Sequence, residues 1–125
     1  MYEIGLSKTF VAWHVMPGVD GPEGELHTHD YRLEVVVSRG DLDERGMVCD
    51  LDVLDVALEK VVGVVAGQNL DIIRPAHAEA VTVEVLSRWA HGALSAELAT
   101  AVDLAVRVWE SPVAFGGYAA PTSSS

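Results

Sequence analysis

Apolar and polar residues alternate through the first third of the chain, which is the period of an extended strand with one buried face. Residues 2–16 read as a first strand carrying Phe10, Ala12, His14 and Met16 on one side. Gly18, Gly21 and Pro22 mark the stretch from Pro17 to Gly24 as a loop. A second strand follows over residues 27–38. His27, His29, Tyr31, Leu33, Val35 and Val37 share its apolar face, while Arg32 and Glu34 point away. Beyond a charged loop, Gly40 to Gly46, the period changes. Leu51, Leu54, Leu58, Val61, Val62 and Val65 are spaced as a helix over residues 51–66, with Asp50 as its cap and Gly67 as its stop. Val81, Val85, Leu86, Trp89 and Leu94 predict a second helix over 78–97. Two closing strands, 101–110 and 113–119, flank Ser111-Pro112, the first alternating Val102, Leu104, Val106 and Val108 with polar positions. The order ββααββ predicts an α+β fold, one antiparallel sheet with two helices on one face. Such a sheet has open edges, which predicts a homo-oligomer continuing the sheet from copy to copy.

The histidines change this picture from a fold to a candidate site. An H-x-H pair on a strand, His27 and His29, puts both imidazoles on one face. His14, on the neighbouring strand, can complete three nitrogen ligands and leave a tetrahedral position open, the pattern of a catalytic zinc centre. The alternative is three strand histidines that pack or face solvent.

Composition narrows the partners. With 125 residues, half of them apolar, the chain has enough core for a single domain, read as residues 1–119 with a small polar, disordered tail at 120–125. A net charge of −11 argues against nucleic acid and anionic membrane surfaces. No apolar run is long enough for a membrane span, and Met1-Tyr2-Glu3 lacks the basic start of a signal peptide. A single cysteine, Cys49, permits no internal disulfide and fits a cytoplasmic setting.

Several fragments, taken in order, resemble the 6-pyruvoyl-tetrahydropterin synthase and 6-carboxy-tetrahydropterin synthase family. Phe10-Val11-Ala12-Trp13-His14 looks like that family's Phe-x-Ala-x-His, and His27-Thr28-His29-Asp30-Tyr31 like its His-Gly-His-x-Tyr. Gly46-Met47-Val48-Cys49-Asp50-Leu51 with Leu54, Thr82-Val83-Glu84, and Trp109-Glu110-Ser111 resemble three further motifs. The resemblance, which runs from Phe10 to Tyr118, implies the tunnelling fold: strands of several subunits join in a barrel, usually trimers stacked in pairs. It implies zinc on His14, His27 and His29, and a pterin substrate whose amino-pyrimidine edge is held by Glu110, with Thr82 and Glu84 lining the pocket. A carboxylate suits that edge because it accepts two parallel N–H bonds.

The chain departs from the family pattern at the acid/base groups. Glu23 stands where the family has its basic cysteine, four residues before the first His of the pair. The family's Leu-Asp-His-x-x-Leu-Asn aligns with Val65-Ala66-Gly67-Gln68-Asn69-Leu70-Asp71, which has neither the Asp nor the His. Glu23 is therefore the candidate base, with Glu25 its nearest competitor, and His77, ahead of the second helix, the candidate partner. The expected activity is a lyase or retro-aldol step on a pterin side chain. Scarce basic residues, eight in all, leave a triphosphate without an obvious cradle. Two other readings are a repurposed enzyme condensing an aldehyde with an aromatic amine, and a non-catalytic ligand-binding homologue.

Overall fold

The computed structural model describes residues 1–122. Four strands, β1 (Tyr2–His14), β2 (His27–Arg39), β3 (Asp103–Ser111) and β4 (Ala114–Pro121), form one antiparallel sheet in sequence order. Two helices, α1 (Leu51–Val65) and α2 (Val83–Glu97), lie between β2 and β3 in the chain. This is the α+β sheet with two helices that the alternation predicts; β1 and β4 are its edge strands, β1 being bonded on its outer side by a short bridge between Trp13 and Asn69.

One face of the sheet carries the core. Phe10 and Ala12 of β1, Tyr31, Leu33, Val35 and Val37 of β2, and Leu104, Val106 and Val108 of β3 are all buried there. Leu54, Leu58, Val61 and Val65 of α1 return at helical spacing to meet them, as do Leu86, Ala90 and Leu94 of α2. The opposite face stays open, leaving Val11, Trp13 and Phe115 exposed. Asp50 caps α1 by accepting from the Asp52 N–H. Gly67 just beyond α1 has φ 72°, a conformation that favours glycine.

Several boundaries differ from the sequence reading, most by one or two residues, as where β3 starts at Asp103 rather than 101. The second helix starts at Val83, not at 78: Thr82 is its N-cap, its hydroxyl accepting from the Val85 N–H at 3.1 Å. Val81 is buried, yet it belongs to the connection ahead of the helix rather than to the helical stripe. β4 continues to Pro121, and Thr122 is buried with its N–H donating to the Val102 carbonyl and its hydroxyl accepting from the Val102 N–H. Residues 120–122 are therefore part of the fold; the rest of the expected tail, Ser123–Ser125, lies outside the described residues. The first strand ends at His14 rather than 16, and a short 3-10 turn, Pro22–Gly24, precedes β2.

Candidate metal centre

The register of β1 against β2 builds the centre. His14, the last residue of β1, is the direct partner of His27, the first of β2, and Ala12 pairs with His29. Partners in an antiparallel pair point to the same face, so all three imidazoles emerge together at one end of the core. Ring centroids lie 4.5 Å apart for His14–His27, 4.7 Å for His27–His29 and 5.2 Å for His14–His29.

Backbone carbonyls orient the rings. His14 Nδ1 lies 3.2 Å from the Val81 carbonyl, and His27 Nδ1 lies 2.8 Å from the Glu25 carbonyl. A carbonyl only accepts, so each Nδ1 carries the proton and each Nε2 presents a lone pair. His14 Nε2 is buried and has no hydrogen-bond partner among the described residues. An orphaned buried acceptor costs about 1–3 kcal/mol. His27 Nε2 and His29 Nε2 face each other at 3.0 Å, and Glu23 Oε2 stands 3.4 Å from His27 Nε2. One ligand-capable atom from each of His14, Glu23, His27 and His29 falls within 4.8 Å of the others. Burial, reinforced by the neighbouring imidazoles, holds His14 below its ordinary pKa against the opposing pull of the Val81 carbonyl. The neutral ring is the form that ligates metals. Converging nitrogen lone pairs, carbonyl-fixed tautomers and one carboxylate make a donor set that fits zinc.

Beside the centre is an open cavity of about 550 Å³, lined by His29, Tyr31 and Glu110 together with Thr28, Arg32 and Trp109. Glu110 is the unpaired residue of an irregularity in the β3–β4 pairing: Trp109 faces Phe115 and Ser111 faces Ala114, with no partner for Glu110 between them. A bulge re-aims the side chain it carries. Tyr31 is a functional candidate the sequence reading left out of the site. Its ring lies edge-on against those of His14 and His29, and burial, then the Glu110 and Glu23 charges, push its hydroxyl well above the ordinary tyrosine pKa. Its position two residues after His29 on the same strand face is the signal that could have found it.

The remaining candidates sit elsewhere in the protomer. Thr82 caps α2, and the Glu84 carboxylate folds over Gly116 of β4, where an added Cβ would come within 2.9 Å of Glu84 Oε1. His77 and Glu84 share a second cleft, about 660 Å³, with Pro75, Arg88 and Trp89; none of the three metal-centre histidines lines it. The segment aligned with the missing acid/base pair serves as a strap on β1: the Gly67 N–H donates to the Val11 carbonyl at 2.7 Å, and the Trp13 N–H to the Gln68 carbonyl at 2.9 Å. Cys49 lines a separate cavity with Arg39 and Asp43, and burial raises its thiol pKa.

With a four-stranded sheet, two helices on one face and a histidine cluster at a strand pair, the molecule has the architecture of the tunnelling-fold enzymes. Residues 3–121 match the sequence model of the family described as 6-pyruvoyl tetrahydropterin synthase, and the chain belongs to that family. Among solved structures it is similar to 6-pyruvoyl tetrahydropterin synthase of Caenorhabditis elegans, at 20% identity over 95% of each chain with a TM-score of 0.73. The Plasmodium falciparum synthase superposes with a TM-score of 0.76 at 15% identity, over 95% of this chain and 97% of that one. The same coverage and identity, with a TM-score of 0.74, hold for a Plasmodium vivax synthase in which a catalytic glutamate is replaced by alanine. At these identities the structural likeness speaks for the fold. No curated protein sequence matches at a significant level.

Proposed function

We propose that this chain is a zinc-dependent enzyme of the 6-pyruvoyl tetrahydropterin synthase type, acting on the side chain of a pterin or a similar flat bicyclic heteroaromatic by a lyase or retro-aldol step. The observation that carries this reading is the meeting of two features: three imidazoles with a buried orphan lone pair, and a cavity that joins His29 to a carboxylate at a bulge. His14, His27 and His29 would hold the metal. Zinc bound there supplies Lewis acidity toward a side-chain oxygen.

The chain's own groups divide the remaining work. Glu110 accepts the two parallel N–H bonds of the amino-pyrimidine edge and fixes which end of the ring enters. Glu23, more than half exposed and beside His27, takes a proton from the substrate side chain. The catalytic glutamate of the Plasmodium vivax protein supports that role for a carboxylate. His77 lies in the other cleft, so a proton-transfer role for it requires a second copy of the chain to present it. The outer edge of β4, and that of β1 beyond its strap, suit such a ring of copies, a trimer or a stacked hexamer.

Two measurements test the proposal. Purified protein should retain zinc near one per chain, and should bind a pterin with an affinity that Glu110→Gln weakens. Absence of zinc in freshly purified protein overturns the metal reading. Replacing Glu23 by Gln should keep the zinc and lower turnover by about 10²–10⁴-fold. Loss of the zinc with this variant would make Glu23 a fourth ligand instead of a base.

A further inference from the structure

Glu34 lies on the open face of the sheet, on the side away from the core, with no contact to the histidines. Its side chain is only 22% exposed, and the carboxylate gathers three neighbours. Oε2 accepts from the Trp109 indole N–H at 2.9 Å, Oε1 accepts from Arg107 Nη1 at 3.3 Å, and Arg32 Nη2 stands 3.9 Å from Oε2. The indole of Trp109 is held from two further directions. The Arg32 guanidinium sits 4.7 Å from its ring centroid, and the Phe115 ring packs at 4.6 Å. Arg107 in turn lies over Phe115 at 5.2 Å.

The place of this network in the register gives it a consequence. Arg32 pairs with Trp109 and Glu34 with Arg107 across β2 and β3, while Trp109 pairs with Phe115 across β3 and β4. Trp109 is thus the last residue paired on both sides before the bulge, and the residue that bulges is Glu110. A bulge disrupts the ladder locally and re-aims the side chain it carries, so its geometry depends on how the flanking residue is held. A tryptophan clamped between a guanidinium and a phenyl ring, and tied by its N–H, acts as a pin.

We infer that Glu34 is a positioning residue: acting through the Trp109 indole, it fixes the β3–β4 bulge and so aims the Glu110 carboxylate into the cavity beside His29 and Tyr31. The inference builds on the proposed role of Glu110 as the anchor of the substrate's amino-pyrimidine edge, and the test separates the two. Glu34→Gln keeps an oxygen that accepts from the indole. Glu34→Ala removes it, and Trp109→Phe removes the N–H while keeping an aromatic ring.

The test has two readouts on the full-length protein. The first, without ligand, is hydrogen exchange at the backbone amides of residues 109–112. Glu34→Ala and Trp109→Phe should quicken exchange there by about tenfold or more, the scale of one lost charge-assisted or indole hydrogen bond. Glu34→Gln should stay near wild type. The second is the ratio of affinities for a pterin and for its 2,4-dioxo counterpart, which lacks the 2-amino group and puts a carbonyl against the carboxylate. Wild type should prefer the pterin by about tenfold or more, since the Glu110 carboxylate would otherwise face a carbonyl oxygen in place of an N–H donor. Glu34→Ala should erode that preference, and Glu34→Gln should retain it.

Exchange and preference both at wild-type values in Glu34→Ala would overturn the inference. Matching losses in Glu34→Gln and Glu34→Ala would overturn the route through Trp109, because the charge on Glu34 and its arginines would then be the pin. Wild type that binds neither ligand, or both equally, would overturn the Glu110 anchor, and the exchange data alone would then decide whether Glu34 pins the bulge.

Discussion

His14, His27 and His29 stand on two paired strands, whereas His77 stands on the connection ahead of α2 beside a separate cleft. The first three meet because a ladder of hydrogen bonds sets their spacing along the sheet and their common face. His77 is placed by a connection with 3-10 and turn geometry, and lines a cleft with a different set of residues that includes Glu84 and Arg88. Histidines on paired strands therefore form a centre within one protomer, and a loop histidine needs something beyond the protomer to join it.

The sharpest way to break that contrast is substitution of one histidine from each region. His27→Ala should abolish metal retention, while His77→Ala should leave metal content unchanged; elemental analysis of the purified variants reads both. If His77→Ala also lost the metal, the two regions would be one site in the assembled protein. The next effect concerns what holds the cleft-bearing helix to the sheet. A Cβ at Gly116 would stand 2.6 Å from Val83 Cγ2 and 3.2 Å from the Glu84 backbone nitrogen. Gly116→Val should destabilise the fold by about 1–3 kcal/mol, measured by denaturant unfolding. Metal affinity in the molecules still folded should be little changed. Removing the α2 cap with Thr82→Ala should cost about 1 kcal/mol, again without moving the metal.

The smallest effect serves as a control at the other end of the sheet. The Met47 and Arg45 N–H groups, helped by Arg39 and Arg45, hold the Asp43 carboxyl below its ordinary pKa. A carboxyl depressed in the folded state contributes stability above its unfolded pKa, near 4, and loses it as pH falls through the lower folded value. Asp43→Asn should flatten that acid limb of a stability–pH curve slightly, with no effect on either histidine region.

Much of this was legible in the residues, for reasons that differ by element. Strict alternation fixed the face of β1 and β2, so the three zinc-ligand candidates could be put together before any coordinates. The bounds of α1 followed from Asp50, the apolar stripe and Gly67. The start of α2 was not legible, because Val81 is apolar at a helix-compatible spacing although it is buried ahead of the cap. The end of β4 was hidden by its composition: Ala120 and Pro121 read as the start of a tail, and only their pairing with Leu104 and Asp103 makes them strand, with Thr122 bonded to Val102 just beyond. The carbonyls of Val81 and Glu25 that orient the imidazoles, and the Glu34–Trp109 bond across 75 positions, are long-range or backbone features with no local signature.

The pairing of His14 with His27 also makes the centre a matter of odd and even. Were β1 to slide by one residue against β2 during folding, the partners of Trp13 and Thr28 would change places with those of the ligands, and the imidazoles would point to opposite sides of the sheet. A slide by two would keep the side but part His14 from His27 by one full repeat. A single inserted residue inside either strand could therefore erase the centre, and the connection from Val15 to Leu26 is tied to it as well, through Glu23 and the Glu25 carbonyl. A chain that displays the assembled histidine cluster has, by that fact, already counted its first two strands correctly.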